Sequence, residues 1–389
     1  MKSKLFFFLL STVLAGCQLK QIKTGEINLS RSYPSKEINL RTIADIEYLP
    51  LETTNEVLLD GSARLAYVSD TYILVWDNRG SIFIFDRNGK SVSQFNHRGK
   101  GPGEYTGISS IIFDEKNEEI FVFHNFSSSR IFVYSMFGEH KRTLNIPDDI
   151  SRMTAYNFDD ETLLIYDESG LEQGEYRNNP YMLLSKKDGS IVSVLDINLP
   201  VRYANTIFTS VIGSDDRQMT LPLRIGTPNN RHFGEDFVIA DISSDTIFML
   251  SKNRELAPLL IRNPSVHSSE PRIVWTSQLK TDKFILLWRI ILDFVELEKD
   301  MKVSYINLIH DFETGQTNTV SFVNDDFPSW ELIIAATDLA IPKNMYACLV
   351  DITLLKDAYE DNKLRGELEK LVPTLGEEDN PIVMILKFI

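Results

Sequence analysis

The chain has 389 residues, 43% hydrophobic and 24% charged, a balance that excludes disordered, collagen-like and multi-span membrane classes. Its 40 Lys and Arg against 55 Asp and Glu leave a formal charge of −15. That excess of anions argues against a nucleic-acid partner, because phosphate backbones are met by surplus cations.

At the N-terminus, Lys2 and Lys4 precede an apolar run from Leu5 to Leu14, long enough for a signal-peptide core and too short to span a bilayer. The run ends in Leu14-Ala15-Gly16-Cys17, which resembles the lipobox of bacterial lipoproteins. That resemblance implies cleavage after residue 16, acylation of Cys17 and attachment to a lipid bilayer in the cell envelope. Residues 17–35 are polar and read as a tether. Surface-exported lipoproteins of the Bacteroidetes carry acidic residues after the cysteine, and Gln18 to Lys23 has none. By that comparison the outer membrane's periplasmic side is favoured, with surface exposure left open. Cys348 is the other cysteine and has no partner if Cys17 is acylated, so a fold without disulfides is expected, with Cys348 packed in a strand.

From residue 36 to 389 a single all-β domain is expected. Tyr72 to Trp76, Ser81 to Phe85 and Ser91 to Phe95 are strand-like runs separated by Asp77-Asn78-Arg79-Gly80 and Asp86-Arg87-Asn88-Gly89-Lys90, residues suited to hairpin turns. Ile82 to Gly89 recurs as Ile131 to Gly138, an offset of 49 residues, which marks an internal repeat of a four-stranded unit. Such units close most economically as a six-bladed β-propeller of four-stranded antiparallel blades. Seven or eight compact blades would also use the length. Six suits the placeable strands, near 55–105, 106–147, 148–200, 201–262, 263–326 and 327–389, and an N-terminal strand at Glu37 to Leu40 or Ile46 to Leu49 would complete the last blade. Leu354 to Leu371 has helical spacing, stopped by Pro373, and predicts a short helical insertion near the C-terminus. Leu221 to Asp236, with Pro222, Gly226 and Pro228, reads as a long loop carrying Arg224, Arg231 and His232 as candidate ligand-binding residues.

Four segments then carry a resemblance: Leu49-Pro50-Leu51-Glu52-Thr53-Thr54, Gly99-Lys100-Gly101-Pro102-Gly103-Glu104-Tyr105, Asp245 to Phe248, and Asn380-Pro381 through Lys387. Together they resemble the six-bladed β-propeller lipoproteins of Bacteroidetes, and the glycine-rich segment also looks like the inter-blade link of NHL-repeat propellers. The resemblance implies six blades and a lipid anchor; it carries no catalytic residues. Gly99, Gly101, Pro102, Gly103, Glu104 and Tyr105 are expected to form an inter-blade crossing rather than a phosphate cradle, since Pro102 removes an amide donor and no helix pattern follows. Arg98 and Lys100 would flank it, as candidates for an anionic ligand.

The six histidines are scattered singly, and no zinc spacing, EF-hand or Gly-x-Ser-x-Gly motif is present. No catalytic or metal residues and no cofactor are therefore assigned. The expected function is non-enzymatic binding of a protein, glycan or small-molecule ligand. The alternatives are a metal-dependent lactonase-like or glycan-processing enzyme with channel calcium, and an envelope scaffold. Carboxylates converging in the channel would favour the enzyme.

Overall fold

A computed structural model describes residues 24–124, 130–204, 206–212, 218–224, 231–234, 236–292, 305–335 and 339–389. Cys17 and the leader lie outside the described residues, as does the side chain of Arg224.

The chain opens with three strands at the rim: β1 (Gly25–Asn28), β2 (Ser35–Asn39) and β3 (Ala44–Pro50). Blade 1 follows as β4 (Arg64–Val68), β5 (Tyr72–Trp76), β6 (Ser81–Asp86) and β7 (Ser91–Asn96). Blade 2 is β8 (Ile108–Asp114), β9 (Glu119–His124), β10 (Arg130–Ser135) and β11 (His140–Asn145). Blade 3 is β12 (Met153–Asn157), β13 (Thr162–Asp167), β14 (Tyr181–Ser185) and β15 (Ile191–Val194). A hairpin, β16 (Thr206–Ile212) with β17 (Gln218–Arg224), precedes blade 4, which comprises β18 (Arg231–Phe233), β19 (Asp236–Ile239), β20 (Thr246–Leu250) and β21 (Leu256–Asn263). Blade 5 is β22 (Arg272–Lys280), β23 (Phe284–Leu292), β24 (Tyr305–Asp311) and β25 (Thr317–Val323). Blade 6 holds β26 (Met345–Val350) and β27 (Ile382–Phe388), with α1 (Ile352–Glu360) and α2 (Gly366–Leu371) between them. The helical insertion is thus two short helices, the first capped by Asp351, whose carboxylate accepts from the Thr353 and Leu354 amides.

Strand alternation builds the ring. In β6, Ile82 and Ile84 join a cluster shared with blade 2, while Phe83 and Phe85 join one shared with blade 6. Successive side chains of a strand point to opposite faces, so one apolar run serves two interfaces. Similar clusters lie between blades 2 and 3, 3 and 4, 4 and 5, and 5 and 6, making a closed six-bladed propeller. Cys348 packs against the cluster between blades 5 and 6, and burial pushes its thiol up to about 12.

The rim departs from the sequence expectation. Residues 25–28, placed in the tether, instead form β1, which pairs in parallel with β21; β2 pairs in parallel with β25. Blades 4 and 5 therefore have five strands. Of the two candidate closing strands it is the second, within β3, that completes blade 6 by antiparallel pairing with β27. The inner position of that blade is held by an irregular segment, where the Ala340 amide donates to Ala66 and its carbonyl accepts from the Val68 amide. The tether reading failed because Ile27 and Leu29, too few to signal a strand, are anchored by a distant edge and fully buried.

The expected loop at 221–236 is likewise corrected. Its ends are β17 and β18, and Pro222 pairs across from Phe208 in a two-stranded hairpin, where a missing ladder donor is tolerated. Two segments of the family resemblance meet at ring closure. The Asn380 side chain donates to the Glu52 carbonyl (2.7 Å) and the Val57 carbonyl (2.9 Å) and accepts from the Leu59 amide (2.8 Å), while its own amide donates to Thr53 Oγ1.

Candidate functional site

The glycine-rich segment crosses from β7 to β8. Its ends are pinned by Gly99 N–H to the Tyr105 carbonyl (3.0 Å) and Tyr105 N–H to the His97 carbonyl (3.1 Å). Tyr105 is fully buried and its hydroxyl donates to the Gly80 carbonyl at 2.7 Å. The Glu104 carboxylate folds back and accepts from the Gly101 amide at 2.7 Å. A Cβ on Gly99 would meet that carboxylate at 1.9 Å, so a larger residue there would push the Glu104 side chain off the Gly101 amide. The amide a phosphate cradle would offer is already engaged. Glu104→Ala is expected to cost about 0.5–1.5 kcal/mol, the scale of a net hydrogen bond at an exposed position, read by urea unfolding; a loss near zero would mean that water replaces the carboxylate.

Beside this crossing lies a groove of about 530 Å3 between blades 1 and 2. Lys100 and Glu104 come from the crossing, Thr106 follows it, His124 ends β9, and Arg130 and Phe132 begin β10. The His124 ring is 2.9 Å from Thr106 Oγ1, and burial, with Arg130 nearby, holds its pKa below the usual histidine value. The groove therefore presents two exposed cations, Lys100 and Arg130, beside a neutral imidazole and an aromatic wall. Arg98 is exposed and does not line it.

A second cavity occupies the channel, lined by inner strands of blades 2, 3 and 4 and by Leu339 and Ala340. Here Arg231 and His232 come together with Asn157, Thr154 and Ser110. His232 hydrogen-bonds the Asn157 carbonyl, and burial lowers its pKa, which keeps the ring neutral. Asn157 Oδ1 is buried without a hydrogen-bond partner. The space is about 40 Å3, enough for water and too small for a sugar. No carboxylate lines this cavity, and no group of three or more His, Cys, Asp or Glu suited to a metal converges among the described residues.

Further along the same inner strand, two lysine ammonium groups lie against the ring of Phe233. Lys280 Nζ lies 3.2 Å from the ring centroid and Lys343 Nζ 4.7 Å. Lys343 pairs with Asp282 at 2.6 Å, whereas Lys280 donates to the Thr281 carbonyl. Burial pushes the Lys280 pKa down to about 8; Lys343 adds to that, while Asp282 and Asp236 oppose it. An unfolded lysine titrates near 10.4. Below about pH 8 the fold thus bears the cost of a buried charge, and it regains stability as pH rises from about 8 towards 10.4, where only the native state has shed the proton. Urea unfolding at about pH 7.5 and 10 should show this gain, and Lys280→Met should remove it; identical pH dependence in the two proteins would refute the assignment.

Of the residues singled out in the sequence, the structure joins Arg231 to His232 in the channel and Lys100 to the groove, and it does not bring these sets together. Arg130, Asn157 and Lys280 were missed. The local pattern around Arg130 gives only a strand start, and its partner Lys100 is thirty positions away.

The architecture defines a six-bladed β-propeller with a constricted channel and a loop-built groove. Within that class the chain belongs to the family described as Domain of unknown function (DUF4934), whose profile matches residues 24–387. Among solved structures it is similar to a protein of Bacteroides fragilis described as exported, at 15% identity over 94% of this chain and 99% of that one, with a TM-score of 0.60. BamB from Moraxella catarrhalis (10% identity, 83% and 85% covered, TM-score 0.34) and virginiamycin B lyase from Staphylococcus aureus (11%, 88% and 99%, 0.38) are more distant. No curated protein matches the sequence. Among the described residues, no helix is long and apolar enough to cross a membrane.

Proposed function

We propose that the protein is a lipid-anchored envelope protein, held through acylated Cys17 on the periplasmic face of the outer membrane, that binds an anionic ligand without transforming it. The observation that carries the binding role is the groove between blades 1 and 2. Its volume lies in the range of small-molecule sites, and Lys100 and Arg130 stand beside Phe132 while Glu104, its carboxylate, is tied to a backbone amide. That arrangement suits the acidic unit of a glycan, with a charged edge and an apolar face. The envelope location is supported by the leader, with Lys2, Lys4 and Ala15-Gly16-Cys17, and by the exported description of the Bacteroides fragilis structure. The metal-dependent enzyme is the weaker reading: among the described residues, those that line the channel cavity include no carboxylate to hold calcium.

Two measurements test the reading. Radiolabelled palmitate should enter the wild-type protein and not Cys17→Ser; equal labelling would remove the anchor. In thermal-shift titrations, uronic-acid oligosaccharides should stabilise the domain and their neutral counterparts should not. Lys100→Ala with Arg130→Ala should abolish that response. A response to neither set, with a partner co-purifying after mild detergent extraction, would replace the ligand-binding role with that of a scaffold.

A further inference from the structure

Among the described residues two blades end in a covered edge, β21 under β1 and β25 under β2, whereas β7, β11, β15 and β3 have no strand beyond them; β3, which closes blade 6, carries Asp45 and Glu47. A free edge offers a row of unpaired backbone groups, and proteins usually defend it with charge or polarity. β11 begins His140-Lys141-Arg142, and β7 alternates Ser91, Ser93, Gln94 and Asn96 with Val92 and Phe95. β15 is different. Three of its four residues are large and apolar and exposed: Ile191 at 37%, Val192 at 47% and Val194 at 51%.

The molecule itself shows what such edges accept. Glu26-Ile27-Asn28-Leu29 recurs eleven residues later as Glu37-Ile38-Asn39-Leu40. Each copy behaves alike: the strand adds in parallel to the outer strand of a blade, Ile27 and Ile38 are buried, and Leu29 and Leu40 are fully enclosed. The Asn side chain then accepts from the amide two residues on, Ser30 or Arg41, at 2.9 and 3.0 Å, which turns the chain towards the next blade. The copies occupy blades 4 and 5. Blade 3 is the next position in the same row, and its rim is the apolar one.

We propose that the outer edge of β15 is a docking site for an extended segment of a second polypeptide, with apolar residues at alternate positions, added in parallel as β1 and β2 are. Main-chain hydrogen bonds to β15 would supply register, and Ile191, Val192 and Val194 would be removed from water. This surface lies on a different blade from the groove, so either assignment stands without the other.

The test uses the full mature chain and a fluorescein-labelled peptide with the sequence of residues Thr24 to Leu40, followed by anisotropy. Saturable binding is expected, weakened at least tenfold by Val192→Lys with Val194→Lys and unchanged by Val92→Lys on the free edge of blade 1. Val194→Thr keeps strand propensity and should weaken binding less, which separates lost contact from lost fold. Hydrogen exchange of the 191–194 amides should slow with peptide bound. Absence of binding, or binding indifferent to the β15 lysines, would overturn the proposal. A dimer in sedimentation that dissolves with Val194→Lys would assign the edge to a second copy and overturn the partner segment.

Discussion

Replacing Lys186 by methionine is expected to destabilise the protein by roughly 3–5 kcal/mol, the scale for leaving a buried charge without its partner. Lys186 Nζ sits 2.6 Å from an Asp114 carboxylate oxygen, with side chains 5% and 4% exposed, and it also donates to the Asp159 carbonyl. Asp114 ends the inner strand of blade 2 and Lys186 follows β14 of blade 3, so the pair locks two blades together. Arg142 reinforces the same seam, gripping Glu119 through two hydrogen bonds of 2.7 and 2.6 Å and donating to the Lys186 carbonyl. Two ions taken out of water gain little over an apolar pair, so Lys186→Met with Asp114→Asn should recover much of the loss. Urea unfolding of the single and double variants decides it. A single-variant loss below about 1 kcal/mol would place the pair with ordinary surface bridges.

Asn380→Leu should produce a loss of similar size, about 3–5 kcal/mol. The residue is 2% exposed, and leucine would leave the Glu52 and Val57 carbonyls and the Leu59 amide without the partner that now satisfies them. Each such group costs roughly 1–3 kcal/mol when buried and unpaired. Because these bonds tie the last strand to the segment leading into blade 1, the damage should be regional. Amides 51–59 should exchange faster while those of β9 and β13 keep their protection. A uniform change across the ring would count against the local role.

Much of this ring was legible because its turns need particular residues. Gly89, Gly138, Gly189 and Gly315 all take positive φ between the third and fourth strands of blades 1, 2, 3 and 5, and the apolar runs beside them repeat at similar spacing. The rim was not legible by the same means. β1 has four residues and no alternation worth noting; its stability comes from pairing with residues more than two hundred positions away. Its one signal was the repeated Glu-Ile-Asn-Leu, which periodicity of blade length passes over. At the groove, the glycine-rich crossing announced itself through composition, whereas Arg130 and His124 arrive from a neighbouring blade and carry no mark in the sequence. The channel histidine illustrates the same limit. The Pro- and Gly-containing stretch marks His232 as a candidate, but its lowered pKa comes chiefly from burial between blades, which no local pattern shows.

The rim strands also decide how the ring would respond to mechanical load. A pull on the N-terminus reaches blade 4 first, through β1 and its four backbone pairings, and then blade 5, through β2 and its five. Only after both have peeled away would tension arrive at the seven pairings of β3 with β27, where the circle is closed. The leading segment would thus act as a two-stage fuse, yielding length in steps while the blades behind it keep their shape.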